Sequence, residues 1–533
     1  MSSGGAAYFG KACDVSISNV REVTGARAAV STGDPAATRA ACKILASGGS
    51  VVDAAIAASA VLAVVMPHAT SIGGDAFILV RDAPTGKIHG LNASGTAPLS
   101  VQPATFRDGM HQRGASAAVV PGLVRAWDAL HERFGILSWD SLFEDSLLLA
   151  ERGCAVSPSL AQTISTLEGY LKLDPGWSST FFPLGTPLKL GDTLNQPALA
   201  RTLRSIADLG ADALYRGDAG AALIQYIQSA GGLLSLTDLE KFSVSWVEPV
   251  STEYHGHDVF VMPPNSYGIL MLMQLQCLAA LPLEEITTDL AKRMSWQIRA
   301  MRACVDVWLP EIGDPACMKV STMDFLADQS ITDARMRMLA QLPPEQAAPA
   351  GGTTSITVSD AEGNAVCIVQ SIYNPCGAHF IDPNTGMILN NRMFCFDHRP
   401  ARPNSIAPGK RSAHTLNPVM VTKNGSLRWV YASPGGISQT ITGAQILVNL
   451  IDRKLEVGPA IDETRWAVDR GGKVLIEPSV AATVLPALAA QKISAKCEED
   501  DYLFGSATLI QCEPNCPLRA AADLRRNASA MAI

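Results

Sequence analysis

Thr353 carries a hydroxyl at the start of a strand-like run, Thr353 to Asp360, directly after a Pro/Ala/Gly-rich arm, Leu342 to Gly352. A threonine hydroxyl is a weak nucleophile until a neighbouring base takes its proton. Cleavage between Gly352 and Thr353 would supply that base, because the freed α-amine (reference pKa about 8) belongs to the same residue as the hydroxyl. The expectation is a chain that makes its own nucleophile. A second β-rich run, Asn364 to Tyr373, follows the turn Ala361-Glu362-Gly363, and the two runs suit a hairpin with a bulge. If Asp360 faces Asn364, Thr353 faces Ser371 with β-carbons roughly 4.5–5.5 Å apart. Ser371 is thereby expected to hydrogen-bond the Thr353 hydroxyl or amine. An acyl-enzyme route also needs donors for a tetrahedral oxyanion, and the turn Ser433-Pro434-Gly435-Gly436 has glycines whose backbone amides can approach a substrate closely. His255-Gly256-His257 puts two imidazoles on one side of a strand with no third ligand in view, so neither a metal nor a cofactor is expected.

These residues need a scaffold of mixed helices and strands. Asp34 reads as the N-cap of a helix from Pro35 to Ser47, stopped by Gly48-Gly49, and an alanine-rich helix follows from Val51 to Met66. Helices are predicted at Gly122 to Phe134, Trp139 to Gly153, Gln196 to Leu209, Gly217 to Ala230 and Thr237 to Lys241. Strands are predicted at Phe77 to Arg81, Ile88 to Leu91, Asp258 to Met262, Ile356 to Val358, Ala365 to Ile372, Pro418 to Val421 and Leu427 to Tyr431. No fixed repeat of 20–50 residues is visible, which sets aside solenoids and propellers. The pattern by itself supports only a mixed α and β fold.

Composition narrows the partners. The 533 residues are 47% hydrophobic, enough for a large core, and no long linker divides them into modules. A net charge of -8 and a pI near 5.6 argue against nucleic acid. The longest nearly apolar run, Ala54 to Met66, is too short to span a membrane, and the first residues hold no uninterrupted apolar stretch of a secretion signal. A cytoplasmic protein without membrane contact is therefore expected, its 12 cysteines mostly buried thiols. Pairing of Cys512 with Cys516 is left open.

Thr353-Thr354, Asp360 and Gly363-Asn364-Ala365-Val366 resemble the start of the small subunit in the γ-glutamyltranspeptidase family of N-terminal-nucleophile hydrolases. Leu389-Asn390-Asn391-Arg392-Met393, Pro408-Gly409-Lys410-Arg411 and Ser433 to Gly436 recur in family order. Gly48 to Ala55, Gly73-Gly74-Asp75-Ala76-Phe77, Val120-Pro121-Gly122, Gly191 to Gln196 and Met262-Pro263-Pro264 resemble its large subunit. The resemblance implies an α+β fold, a four-layer αββα sandwich. One interwoven unit would form from two autoprocessed fragments, residues 1–352, with a flexible tail from about 329, and residues 353–533. Their pairing is obligate on this reading, and association of the processed unit as a homodimer is left open. The resemblance also implies catalytic roles for Thr353 and Ser371, an oxyanion hole at Gly435 and Gly436, and an acyl pocket at Asn390-Asn391.

The pocket departs from the family's γ-glutamyl pattern. Ser94 stands where an arginine grips the substrate α-carboxylate, Cys395 where an acid holds the ammonium, and His414-Thr415 where two serines lie. Losing both ionic partners argues against an α-amino acid head group. The remaining Asn391-Arg392 pair, the strand end at Tyr373, and His414 with Thr415 resemble the branch containing oxamate amidohydrolase and acylase-like members. These residues are expected to bind a small amide bearing a carboxylate, with Arg392 as its partner and Arg411 structural. Alternatives are γ-glutamyl hydrolysis or transfer, a glutaryl-type acylase, and a silent binding protein that keeps the fold.

Overall fold

Asp34 caps helix α1 (Pro35–Ala46) with its carboxylate, which accepts the Ala36 N–H at 2.8 Å. Helix α2 (Val51–Val65) opens with a capping box, in which Ser50 Oγ accepts from Asp53 N and Asp53 Oδ2 accepts from Ser50 N. All of α2 is buried, so the alanine-rich run is an internal helix. No helix among the described residues is long and apolar enough to cross a membrane. The computed structural model describes residues 22–340, 352–469 and 471–533.

Two seven-stranded sheets lie face to face. In chain order their strands are β1 (Glu22–Gly25), β2 (Ala28–Thr32), β3 (Asp75–Arg81), β4 (Ile88–Ala93), β5 (Ser245–Val247), β6 (Val250–Tyr254), β7 (His257–Val261), β8 (Gly352–Asp360), β9 (Ala365–Tyr373), β10 (Val419–Lys423), β11 (Ser426–Ala432), β12 (Thr508–Gln511), β13 (Leu518–Ala522) and β14 (Ser529–Ala532). The first sheet runs β14-β2-β8-β9-β3-β4-β5 and the second β1-β13-β12-β11-β10-β7-β6, every neighbouring pair antiparallel. Alternation along each strand sends side chains to two different cores. Phe77, Leu79, Cys367 and Val369 meet Met420, Val430 and Ile510 between the sheets. Ile356, Val358, Val366 and Ile368 face outward onto α1 and α2. Helices α3 (Gly268–Leu278), α4 (Leu290–Trp308), α5 (Asp328–Leu339) and α6 (Ser438–Ile451) share the core on the far side of the second sheet. The result is the four-layer αββα sandwich.

One expectation changes, and one open question closes. The segment from about 329, expected to be flexible, is helix α5 through Leu339, and it buries Ile331, Ala334 and Met338. The remainder of that arm, 341–351, lies outside the described residues. Cys512 and Cys516 are free thiols, the first buried and the second exposed.

Candidate active site

The hairpin β8–β9 keeps the register that the sequence predicts from Ser359↔Ala365 to Thr354↔Gln370, then slips so that Gly352 faces Tyr373. Thr353 sits in that bulge, and Tyr373 takes a left-handed φ of 78° beside it. Bulges redirect side chains, and non-glycine residues at positive φ concentrate at functional sites. Thr353 Oγ1 donates to Ser371 Oγ at 3.3 Å, and Ser371 Oγ donates to the carbonyl oxygen of Gly352 at 2.5 Å. The Tyr373 N–H donates to Ser371 Oγ at 2.8 Å and fixes it. Thr353, Ser371 and the Gly352 carbonyl thus form one buried relay.

Thr353 and Ser371 lie on the inter-sheet face. Two residues after Thr353, Ser355 Oγ meets Thr508 Oγ1 of the opposite sheet at 3.0 Å, and the Thr508 hydroxyl reaches the carbonyl of Ala432 at the end of β11. The chain then passes through Gly435 (φ 136°) and Gly436 (φ 61°) into α6. Both glycines adopt backbone conformations that side chains disfavour, which leaves their amides to be turned by the loop.

At the other side of Ser371, Gly73 and Gly74 let three chain segments touch. A β-carbon on Gly74 would meet the Ser371 carbonyl oxygen at 2.4 Å, and one on Gly73 the Ile388 oxygen at 2.2 Å. This close approach sets Asp75, the first residue of β3, opposite Ser371. Asp75 is fully buried and accepts from Arg392 through Nε at 3.0 Å and Nη2 at 3.0 Å, and from His414 Nε2 at 2.8 Å. Burial alone would raise the Asp75 carboxyl, but the Arg392 charge and His414 outweigh it and hold the group below its ordinary value. Burial, aided by Arg392, pushes His414 down to about 4. Its Nδ1 accepts the Leu416 N–H at 3.3 Å, which leaves the ring proton on Nε2, facing Asp75.

Several expected binding residues therefore have internal partners. Arg392, expected to meet a substrate carboxylate, is bound by Asp75 through two nitrogens, because Asp75 is the acceptor that β3 brings to it. Its Nη1 points to Cys395 Sγ at 3.9 Å, and its guanidinium lies 4.9 Å from the centre of the Tyr373 ring. The donor of His414 is likewise committed to Asp75. Asn391 joins two loops, accepting the Asn374 N–H at 3.1 Å and donating to the Gln112 carbonyl at 3.0 Å. Asn390 similarly ties Gly73 to Val119. Thr415 is buried next to His414. Tyr373 bonds Cys395, and burial raises both groups. Ser94 caps Asn92 Oδ1 at 2.7 Å, and Arg411 donates to the carbonyls of Ser94 and Ser243, a structural role. His255 pairs with Asp452 at 2.6 Å. Sequence reasoning missed Asp75 as a site residue. The available signal was a carboxylate between a glycine pair and an apolar strand.

The family model for gamma-glutamyltranspeptidase matches residues 37–533. The chain is 32% identical to the acylase ACY 1 proenzyme of Pseudomonas sp. (strain SE83) over 533 residues, covering 96% of this chain and 95% of the relative. It is 29% identical to the glutathione hydrolase proenzyme of Escherichia coli (strain K12) over 531 residues, covering 93% and 90%. The crystal structure of cephalosporin acylase from Bacillus halodurans superposes with a TM-score of 0.89 at 30% identity, covering 100% of this chain and 99% of that one.

Proposed function

The chain belongs to the gamma-glutamyltranspeptidase family, and on that premise we propose that it is an autoprocessed amide hydrolase working through a threonyl acyl-enzyme. The observation that carries the reading is the relay from Thr353 Oγ1 to Ser371 Oγ to the Gly352 carbonyl. In processing, Thr353 Oγ attacks the Gly352 carbonyl carbon while Ser371 polarises its oxygen. The bond to the Thr353 nitrogen breaks, and the nitrogen takes up a proton. Water then cleaves the resulting ester, leaving a Gly352 carboxylate and a free Thr353 amine. In turnover that amine removes the hydroxyl proton, and Thr353 Oγ attacks the substrate amide. The backbone amides of Gly435 and Gly436 carry the oxyanion. The amine product departs with a proton, and water releases the acid.

The acyl group on this reading is small and bears a carboxylate, with oxamate as the specific candidate. Support comes from Ser94 and Cys395 at the two positions of the γ-glutamyl ionic partners, and from Nη1 of Arg392, the guanidinium nitrogen not bound to Asp75. A glutaryl-type acylase is the second reading, favoured by the two acylases to which the chain is similar over nearly its whole length. Denaturing electrophoresis with N-terminal sequencing tests the common core: two fragments should appear, the smaller beginning at Thr353, and Thr353→Ala should stay uncut and inactive. A wild-type chain that remains single and active sinks the mechanism. Release of ammonia from oxamate, compared with hydrolysis of glutaryl and γ-glutamyl anilides, separates the substrate readings.

A further inference from the structure

Asp75 is a fully buried charge at the site that the proposed chemistry does not use. It engages Nε and Nη2 of Arg392 and leaves Nη1 directed at Cys395 beside the Tyr373 ring. His414 adds a hydrogen bond and no charge, since its Nδ1 is an acceptor for Leu416 and its proton lies on Nε2. The three side chains together are neutral. We propose that Asp75 sets the selectivity of the acyl pocket by cancelling the charge of Arg392, so that an acyl group meets one hydrogen-bonding edge, Nη1, in place of a free cation. The inference rests on the reading of this pocket as the acyl site.

The physical argument is one of distance. A carboxylate at Nη1 is drawn by the guanidinium next to it and repelled by the Asp75 carboxylate on the guanidinium's other edge, and in a buried site both effects are screened far less than in water. The pocket therefore prefers an anion over an uncharged isostere less than Arg392 would without Asp75. Asp75 acts through Arg392 and is a positioning residue.

Asp75→Asn tests this, because it keeps the size and one acceptor while removing the charge. Oxamate and its uncharged isostere oxamide are compared by ammonia release, and binding of oxalate and oxamide by thermal shift of the purified protein. The ratio of kcat/KM for oxamate over oxamide should rise by about tenfold or more, through KM, and oxalate should stabilise the variant more than it stabilises wild type. A purely structural Asp75 would depress both amides equally, and an unchanged ratio with an unchanged oxalate shift overturns the proposal. Should the single variant fail to fold, Asp75→Asn combined with Arg392→Gln leaves no buried unpaired charge. That variant should fold and show no preference for oxalate over oxamide; failure to fold, or a retained preference, overturns the proposal. A wild type that releases ammonia from neither amide sinks the amidase reading, while the oxalate comparison still decides the role of Asp75.

Discussion

Ser371 Oγ accepts from two donors, Thr353 Oγ1 and Tyr373 N, and gives its own proton to Gly352 O. Its loss should harm both stages of the chemistry, because the same oxygen aligns the hydroxyl and polarises the carbonyl. Ser371→Ala is expected to slow fragment formation and turnover by about 10²–10⁴-fold, the usual worth of a positioned proton-transfer partner. Time courses on denaturing gels check the first and ammonia release the second. Unchanged rates would remove Ser371 from the site. Ser371→Thr, which keeps the hydroxyl, should retain processing. At this scale the sequence was readable where the ladder is local: Thr353 and Ser371 are joined by one hairpin, whose register follows from the turn as far as Thr354, while the bulge at Thr353 was not foreseen.

Among the elements, the junction of β3 with β9 is the most constrained. Gly74 has no room for a β-carbon against the Ser371 carbonyl, so Gly74→Ala must push β3 away and draw Asp75 off Arg392. The expected cost is about 1–3 kcal/mol of stability from overpacking, with a loss of activity beyond what that destabilisation explains. Urea denaturation and kcat/KM of the variant check the two parts, and wild-type values for both would show that the junction has slack. The strands around the two hairpins and most helices before residue 250 were legible from caps, breakers and alternation, whereas the helices Pro158–Leu171 and Pro175–Phe181 were not predicted. Helices α3 and α6 were not, because they are buried nearly all round and lack the polar face that marks a helix in sequence.

At the scale of the molecule, cleavage at Gly352–Thr353 would cut a chain whose two halves share both sheets, as the first shows most directly. Strands β8 and β9 lie in its centre, flanked by β2 and β3 from the first half. The fragments should co-elute in native size exclusion after complete processing and separate only in denaturant. Separation in native buffer would contradict the shared sheets. Acid should weaken the whole. Burial pushes His68 down to about 3 and His379 and His414 down to about 4, so each stays neutral in the fold where the unfolded chain takes a proton. The unfolded state then binds more protons below about pH 6.5, and stability falls as pH drops from there toward 4, by up to about 1.4 kcal/mol per pH unit for each histidine. Melting temperatures at pH 7, 6 and 5 should decline, and His379→Gln should flatten the decline; a flat profile in wild type would contradict the buried neutral state.

By itself the sequence placed the candidate nucleophile after a glycine, joined it to Ser371 through one hairpin, and put Ser94 and Cys395 where the resemblance expects the γ-glutamyl ionic partners. Only the tertiary structure decided where the remaining charges go. Arg392 and His414 both end on Asp75, across separations of 317 and 339 residues, and the glycines that permit this contact read locally as a loop. Periodicity and turn chemistry report on neighbours along the chain, whereas charge compensation in a core depends on which strands the sheet brings side by side. An arginine that looks free in sequence is thus bound, and its partner is a residue whose local pattern marks only the start of a strand.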